Sequence, residues 1–193
     1  MSVHHDVMRF AQRFGHQEWP HGLSIQGRDA GFWAERGCGV ACLRMIVHFF
    51  TGRDEAYAGL LAEGVTQGAY GDKGWIHAGL AEMAQRRGLL ARACAIDGPD
   101  ELRAALLQGP VIASVTLGFP EDGRRGGHLV VACGFDAAEP RRIHVRDPAR
   151  WGESNASVGE SRFLASFSGR VIRFAAPGAA SPWRCLEDSA PRA

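Results

Sequence analysis

The sequence predicts an α+β fold, on three observations. Helix-patterned segments fill the first half of the chain, strand-patterned runs fill the second, and a helix apolar on most sides lies at residues 38–50. Segregation of this kind differs from the strict β–α alternation that builds a doubly wound parallel sheet. The 193 residues are 46% apolar, enough for one sizeable core. We expect a single domain over residues 1–176, with residues 1–21 as an N-terminal extension and residues 177–193 as a surface tail rich in Pro, Ala and Ser.

The elements follow in order. Residues 7–14 read as a short helix packed on the body, and residues 23–26 alternate like a short strand. Residues 27–37 form a loop rich in Gly and charge. In residues 38–50, Val40, Leu43, Val47 and Phe50 recur at helical spacing, and Met45, Ile46 and Phe49 widen the apolar stripe. Thr51-Gly52 ends that helix, with Gly52 as a left-handed cap. A second helix is expected over residues 54–63, and a loop over residues 68–74. A helix over residues 76–87 turns Leu80, Met83 and Ala84 inward and stops at Gly88. Residues 89–96 look extended. Pro99-Asp100 opens a helix over residues 101–108, closed by Gly109-Pro110. Strands then follow at residues 111–117, 128–135, 142–147 and 170–174. No internal repeat is present.

Charge and cysteine content narrow the function class. The chain carries 22 basic and 21 acidic residues, a formal net charge of +1. Nucleic acids and anionic membranes are recognised by a concentrated positive field, which this balance does not supply. No stretch approaches the roughly 20 apolar residues of a membrane helix. The start, Met1-Ser2-Val3-His4-His5-Asp6, lacks a secretion signal, so the cytoplasm is the default expectation. Five cysteines at irregular spacing (Cys38, Cys42, Cys94, Cys133 and Cys185) do not form a disulfide framework. Cys38 and Cys42 lie four apart, but no second ligand pair follows at zinc-site spacing. No cofactor or metal is expected.

The chemistry concentrates at Gly37-Cys38-Gly39, where a loop becomes the buried helix. A thiol at a helix N-terminus faces unpaired backbone N–H groups and the positive end of the helix dipole, and both favour the thiolate. The same N–H groups can hold an oxyanion. By itself this segment fits a small buried apolar cysteine equally well. Cys42, one turn deeper, reads as a packed thiol, as do Cys94 and Cys133; Cys185 falls in the tail. His128 follows Gly126-Gly127 and begins an apolar strand, which puts it at the rim of a sheet with one face open. Asp147 closes the next strand before Pro148. It could accept from His128 and fix its tautomer, although Asp-Pro is also an ordinary turn opener. Gln26, twelve residues before Cys38, could donate its amide to the same oxyanion; a glutamine in a strand is otherwise usually a surface residue.

Taken in order, these residues resemble the bacteriocin-processing, double-glycine-leader peptidase family within the papain-like superfamily. The matching segments are residues 23–26, 37–46, 74–89, 106–112, 127–131 and 145–148, so the similarity spans about residues 22–150. The family often has Pro after its Cys-Gly, where this chain has Val40. The resemblance implies a papain-like fold with the nucleophile helix packed on an antiparallel sheet. It implies Cys38 as nucleophile, His128 as base, Asp147 as orienting acid and Gln26 as oxyanion donor, and a peptide or protein as substrate. Two other readings stay open. One is a papain-like transpeptidase or cell-wall amidase, since residues 147–151 are loosely similar to phytochelatin synthases after their acid. The other is a non-catalytic peptide-binding module. Specificity is expected in the loops at residues 27–36, 68–74 and 117–127.

Overall fold

The structure is a computed structural model describing residues 1–15 and 17–179. Most of the expected C-terminal tail, including Trp183, Cys185 and Leu186, lies outside the described residues.

The N-terminal segment does not form the expected helix at residues 7–14. Its first ordered piece is β1 (Val3–His4), and residues 5–12 run on without regular structure. Tertiary bonds hold it instead. His5 N–H donates to Cys133 O (2.7 Å), Gln12 N–H donates to Pro148 O (2.9 Å), and Val7 is buried. The supposed strand at residues 23–26 is a tight hairpin turn. Ile25 and Arg28 exchange backbone bonds at 3.1 Å, and both residues between them, Gln26 (φ 50°) and Gly27 (φ 70°), are left-handed. The loop beyond it contains a short helix, α1 (Ala30–Ala34), capped by the Asp29 carboxylate on Phe32 N–H.

Helix α2 (Cys38–Thr51) matches its sequence pattern and stops at Gly52, whose φ of 68° permits the cap. Val40, Leu43, Met45, Ile46 and Val47 are fully buried. At about 1.5–3 kcal/mol per large apolar side chain, this one helix contributes a large part of the core. Arg44 is its buried cation, and it is paired with Asp54 (2.7 Å) and Glu18.

Helix α3 (Tyr57–Thr66) starts three residues later than its sequence reading. The expected loop at residues 68–74 folds into a small hairpin of β2 (Tyr70–Gly71) and β3 (Gly74–Trp75). Helix α4 (His77–Gln85), β4 (Leu90–Ala95), α5 (Gly98–Gln108), β5 (Val111–Val115), β6 (His128–Phe135) and β7 (Arg142–Arg146) lie close to where the sequence puts them. A 3-10 turn (Arg150–Glu153), β8 (Ser157–Gly159) and α6 (Glu160–Ser166) were not expected. They precede β9 (Arg170–Ala175).

Among the described residues, seven strands form one antiparallel sheet in the order β4-β9-β5-β6-β7-β8, with β1 beside the far end of β6. Strand alternation splits β6 between two cores. Leu129, Val131 and Cys133 face α2, α3 and α4, while Val130 and Ala132 face α5 and α6. The fold is thus α+β, with α2 packed on an antiparallel sheet. No helix among the described residues is long and apolar enough to cross a membrane.

Candidate active site

Cys38 is the first residue of α2, half-buried, at the wall of a cleft of about 1240 Å³. The first bond of the helix runs from Ala41 N–H to Gly37 O (3.0 Å), so the amides ahead of it are free of helix partners. The flanking glycines are required by packing. A Cβ on Gly37 would lie 1.5 Å from Tyr57 Oη, and one on Gly39 would lie 2.4 Å from the Trp75 ring. Neither aromatic is free to retreat: Tyr57 Oη–H donates to Gln12 O (3.1 Å) and Trp75 Nε1–H donates to Arg36 O (2.6 Å). The glycines therefore let two anchored rings grip the turn that carries the thiol.

His128 opens β6 and Asp147 directly follows β7, its antiparallel neighbour. The pairing of these strands brings the two side chains together, with Nε2 and Oδ1 2.8 Å apart. The pair is sealed from water, with 7% of His128 and none of Asp147 exposed. Asp147 Oδ1 also accepts from Ala149 N–H (2.8 Å), a bond that locks the carboxylate across Pro148. Behind it, the Arg9 guanidinium donates to Asp147 O (2.7 Å) and Ala149 O (2.9 Å). His128 lines the same cleft as Cys38, and with Nε2 committed to Asp147, Nδ1 is the ring nitrogen left for another partner. Burial works against an imidazolium here, but the Asp147 carboxylate and Cys38 outweigh it, and His128 is pushed up to about 9. Cys38, His128 and Asp147 thus converge in one place.

Gln26 does not join them. It is exposed at the tip of the Ile25–Arg28 turn and does not line the cleft. The glutamine that lines the cleft with Cys38 is Gln12, only 7% exposed. Its Nε2 donates to Ala34 O (3.2 Å), which leaves the second amide hydrogen uncommitted. The sequence reading missed Gln12 because it placed this segment in a peripheral helix.

The three loops expected to carry specificity all reach the cleft. Glu35 and Arg36 come from the first, Tyr70 to Gly74 from the second, and Leu117, Gly118 and Gly127 from the third. Ile76 and Leu117 are large apolar side chains that line it, each about half exposed.

No family model and no curated protein matches this sequence. Solved structures do match. A double-glycine-motif protease from an AMS/PCAT transporter, solved in complex with its leader peptide, is 18% identical with a TM-score of 0.58; the match covers 90% of this chain and 97% of that one. The peptidase domain of Streptococcus ComA, a bifunctional ABC transporter of a quorum-sensing pathway, is 21% identical with a TM-score of 0.55, over 74% of this chain and 93% of that one. The N-terminal peptidase C39-like domain of a Vibrio parahaemolyticus toxin-secretion ATP-binding protein is 18% identical with a TM-score of 0.50, over 71% and 94%. The chain therefore has the fold of the double-glycine peptidase domains, the group whose motifs its sequence resembles.

Proposed function

We propose that the protein is a cysteine peptidase of double-glycine-leader type that cleaves a peptide amide bond through a thioester on Cys38. The observation that carries this reading is the buried His128–Asp147 pair in the same cleft as a thiol at the start of a helix. His128 accepts the Cys38 proton, and the thiolate adds to the substrate carbonyl carbon. Cys38 N–H and Gln12 Nε2–H donate to the resulting oxyanion. The C–N bond then breaks, and His128 passes its proton to the leaving amine. Water, deprotonated by His128, attacks the thioester. The acid departs and the thiol is restored. The raised proton affinity of His128 suits the proton-donor step, because the ring keeps the proton it has taken from Cys38 until the amine leaves.

The test uses peptides with a Gly-Gly pair, because a relative of this fold was solved with a leader peptide. Mass spectrometry should find cleavage by the wild-type protein and none above background with Cys38→Ala, whose unfolding midpoint stays close to wild type. Cleavage that survives Cys38→Ala overturns the reading. A product ligated to an added amine, in place of a free acid, would move the assignment to the transpeptidases.

A further inference from the structure

The same cleft contains polar residues that the proposed reaction leaves unused. Arg170 opens β9, paired with Ala95 of β4. Strand alternation puts it on the face of Ile172 and Phe174, which pack in the core beneath α2. Ser114 lies on the neighbouring β5, on the face of Ile112 in that same core. His77 begins α4, the helix that covers β4. All three line the cleft together with Cys38, and the small side chains of Ala93 and Ala95 leave the floor between them open.

Each of the three is poised for a ligand. Arg170 is exposed, and among the described residues no carboxylate pairs with its guanidinium. Ser114 is 6% exposed and held by strand pairing to Leu129, so its hydroxyl is carried on rigid backbone. His77 Nε2 is buried with no hydrogen-bond partner. Burial, and then the charge of Arg170, hold His77 below its ordinary value, so the ring is neutral and offers one N–H. The wider lining agrees in sign. It includes Arg13, Arg36, Lys73, Arg150 and Arg170 against Glu35 and Asp72, although the whole chain is nearly balanced at +1. A cleft whose lining carries an excess of one sign concentrates the opposite sign in its ligand.

We propose that Arg170, with Ser114 and His77, forms a carboxylate subsite, so that the preferred peptide carries an acidic group close to the bond it presents to Cys38. This rests on the peptidase reading and names its substrate class. A guanidinium matches a carboxylate with two parallel N–H bonds, which an amide isostere cannot reproduce.

The test is a set of Gly-Gly peptides with Glu or Gln scanned through the four positions on each side of the pair, all C-terminally amidated. A parallel set lacks acidic side chains and ends in a free carboxylate or an amide, which separates the two sources of the charge. For wild type, one Glu position or the free terminus should raise kcat/KM about tenfold or more over its neutral match. Arg170→Ala should bring that ratio near one, Arg170→Lys should keep part of it, and Arg170→Glu should favour Lys at the same position. Equal rates for all matched pairs, or a ratio unchanged by Arg170→Ala, overturn the subsite while leaving the peptidase reading intact. Fluorescence anisotropy on Cys38→Ala protein reads the same ratio without turnover. If no peptide is cleaved, the peptidase reading falls, and the subsite stands or falls on whether that protein binds the acidic member of a pair more tightly.

Discussion

Cys38 and Cys42 occupy the first and second turns of α2, and their surroundings oppose each other. Cys38 is half-buried at the helix start, at the wall of a cleft that His128 also lines. Cys42 is fully buried and gives its S–H to Leu129 O (3.3 Å), the residue after that same histidine. Burial pushes the Cys42 thiol well up, and the neighbouring Cys38 and Asp147 push it further. On the proposed function, the difference teaches that one turn of helix separates a thiol placed for chemistry from one placed for packing, and that position decides, not residue type.

The first prediction attacks the group that makes the upper turn special. Asp147→Asn should lower turnover by on the order of 10³–10⁴-fold, because the neutral amide no longer fixes or supports the imidazolium. The His128 titration, followed by NMR, should fall from about 9 toward the ordinary 6.5. The sign of the accompanying stability change follows. A raised folded value means that the native protein binds a proton the unfolded chain has released. That contribution is full below about pH 6.5 and is lost as pH rises through 9. In wild type, urea midpoints should drop across this window, and Asp147→Asn should flatten the drop.

The second prediction measures the contrast directly. Peptide mapping after brief iodoacetamide treatment near neutral pH should show Cys38 modified at least about a hundredfold faster than Cys42. Comparable rates would erase the distinction between the two turns.

The third prediction concerns the oxyanion. Gln12→Ala should cost about 10²-fold in kcat while leaving the Cys38 alkylation rate near wild type, and Gln26→Ala should change neither. A larger loss from Gln26→Ala would reverse the assignment. The smallest effect belongs to the lower turn. Cys42→Ala should retain activity and lose only about 1 kcal/mol of stability in urea unfolding, the scale of one small cavity.

Legibility in the sequence followed the range of the forces involved. Residues 38–52 could be read because apolar periodicity and a Gly cap are local signals, and both survive in α2. The run at residues 128–135 is fully buried on both faces and matches β6 in every residue. Asp147 and His128 could be singled out because each sits at the end of a strand-patterned run. The elements that went unread are short: α1 has five residues, β8 three, and the β2–β3 hairpin two per strand. Pieces of that length have no period of their own, and tertiary packing holds them in place. Gln12 was hidden for a related reason. Its position depends on Pro148 O and Ala34 O, neither near it in sequence. Gln26 did carry a readable signal, since Gln-Gly between Ile25 and Arg28 resembles the Asn-Gly pairs that favour left-handed hairpin turns.

The strap formed by Arg9 and Gln12 has a consequence for synthesis of the chain. It is made well before Asp147, Pro148 and Ala149, yet its bonds end on them. A nascent chain carrying Cys38, and even His128, therefore lacks both the carboxylate and the Pro148 carbonyl that anchors Gln12 at the cleft. The candidate site comes together only once residue 149 has emerged and the strap has bonded to it. The topology thus postpones the proposed chemistry until both β6 and β7 have been made.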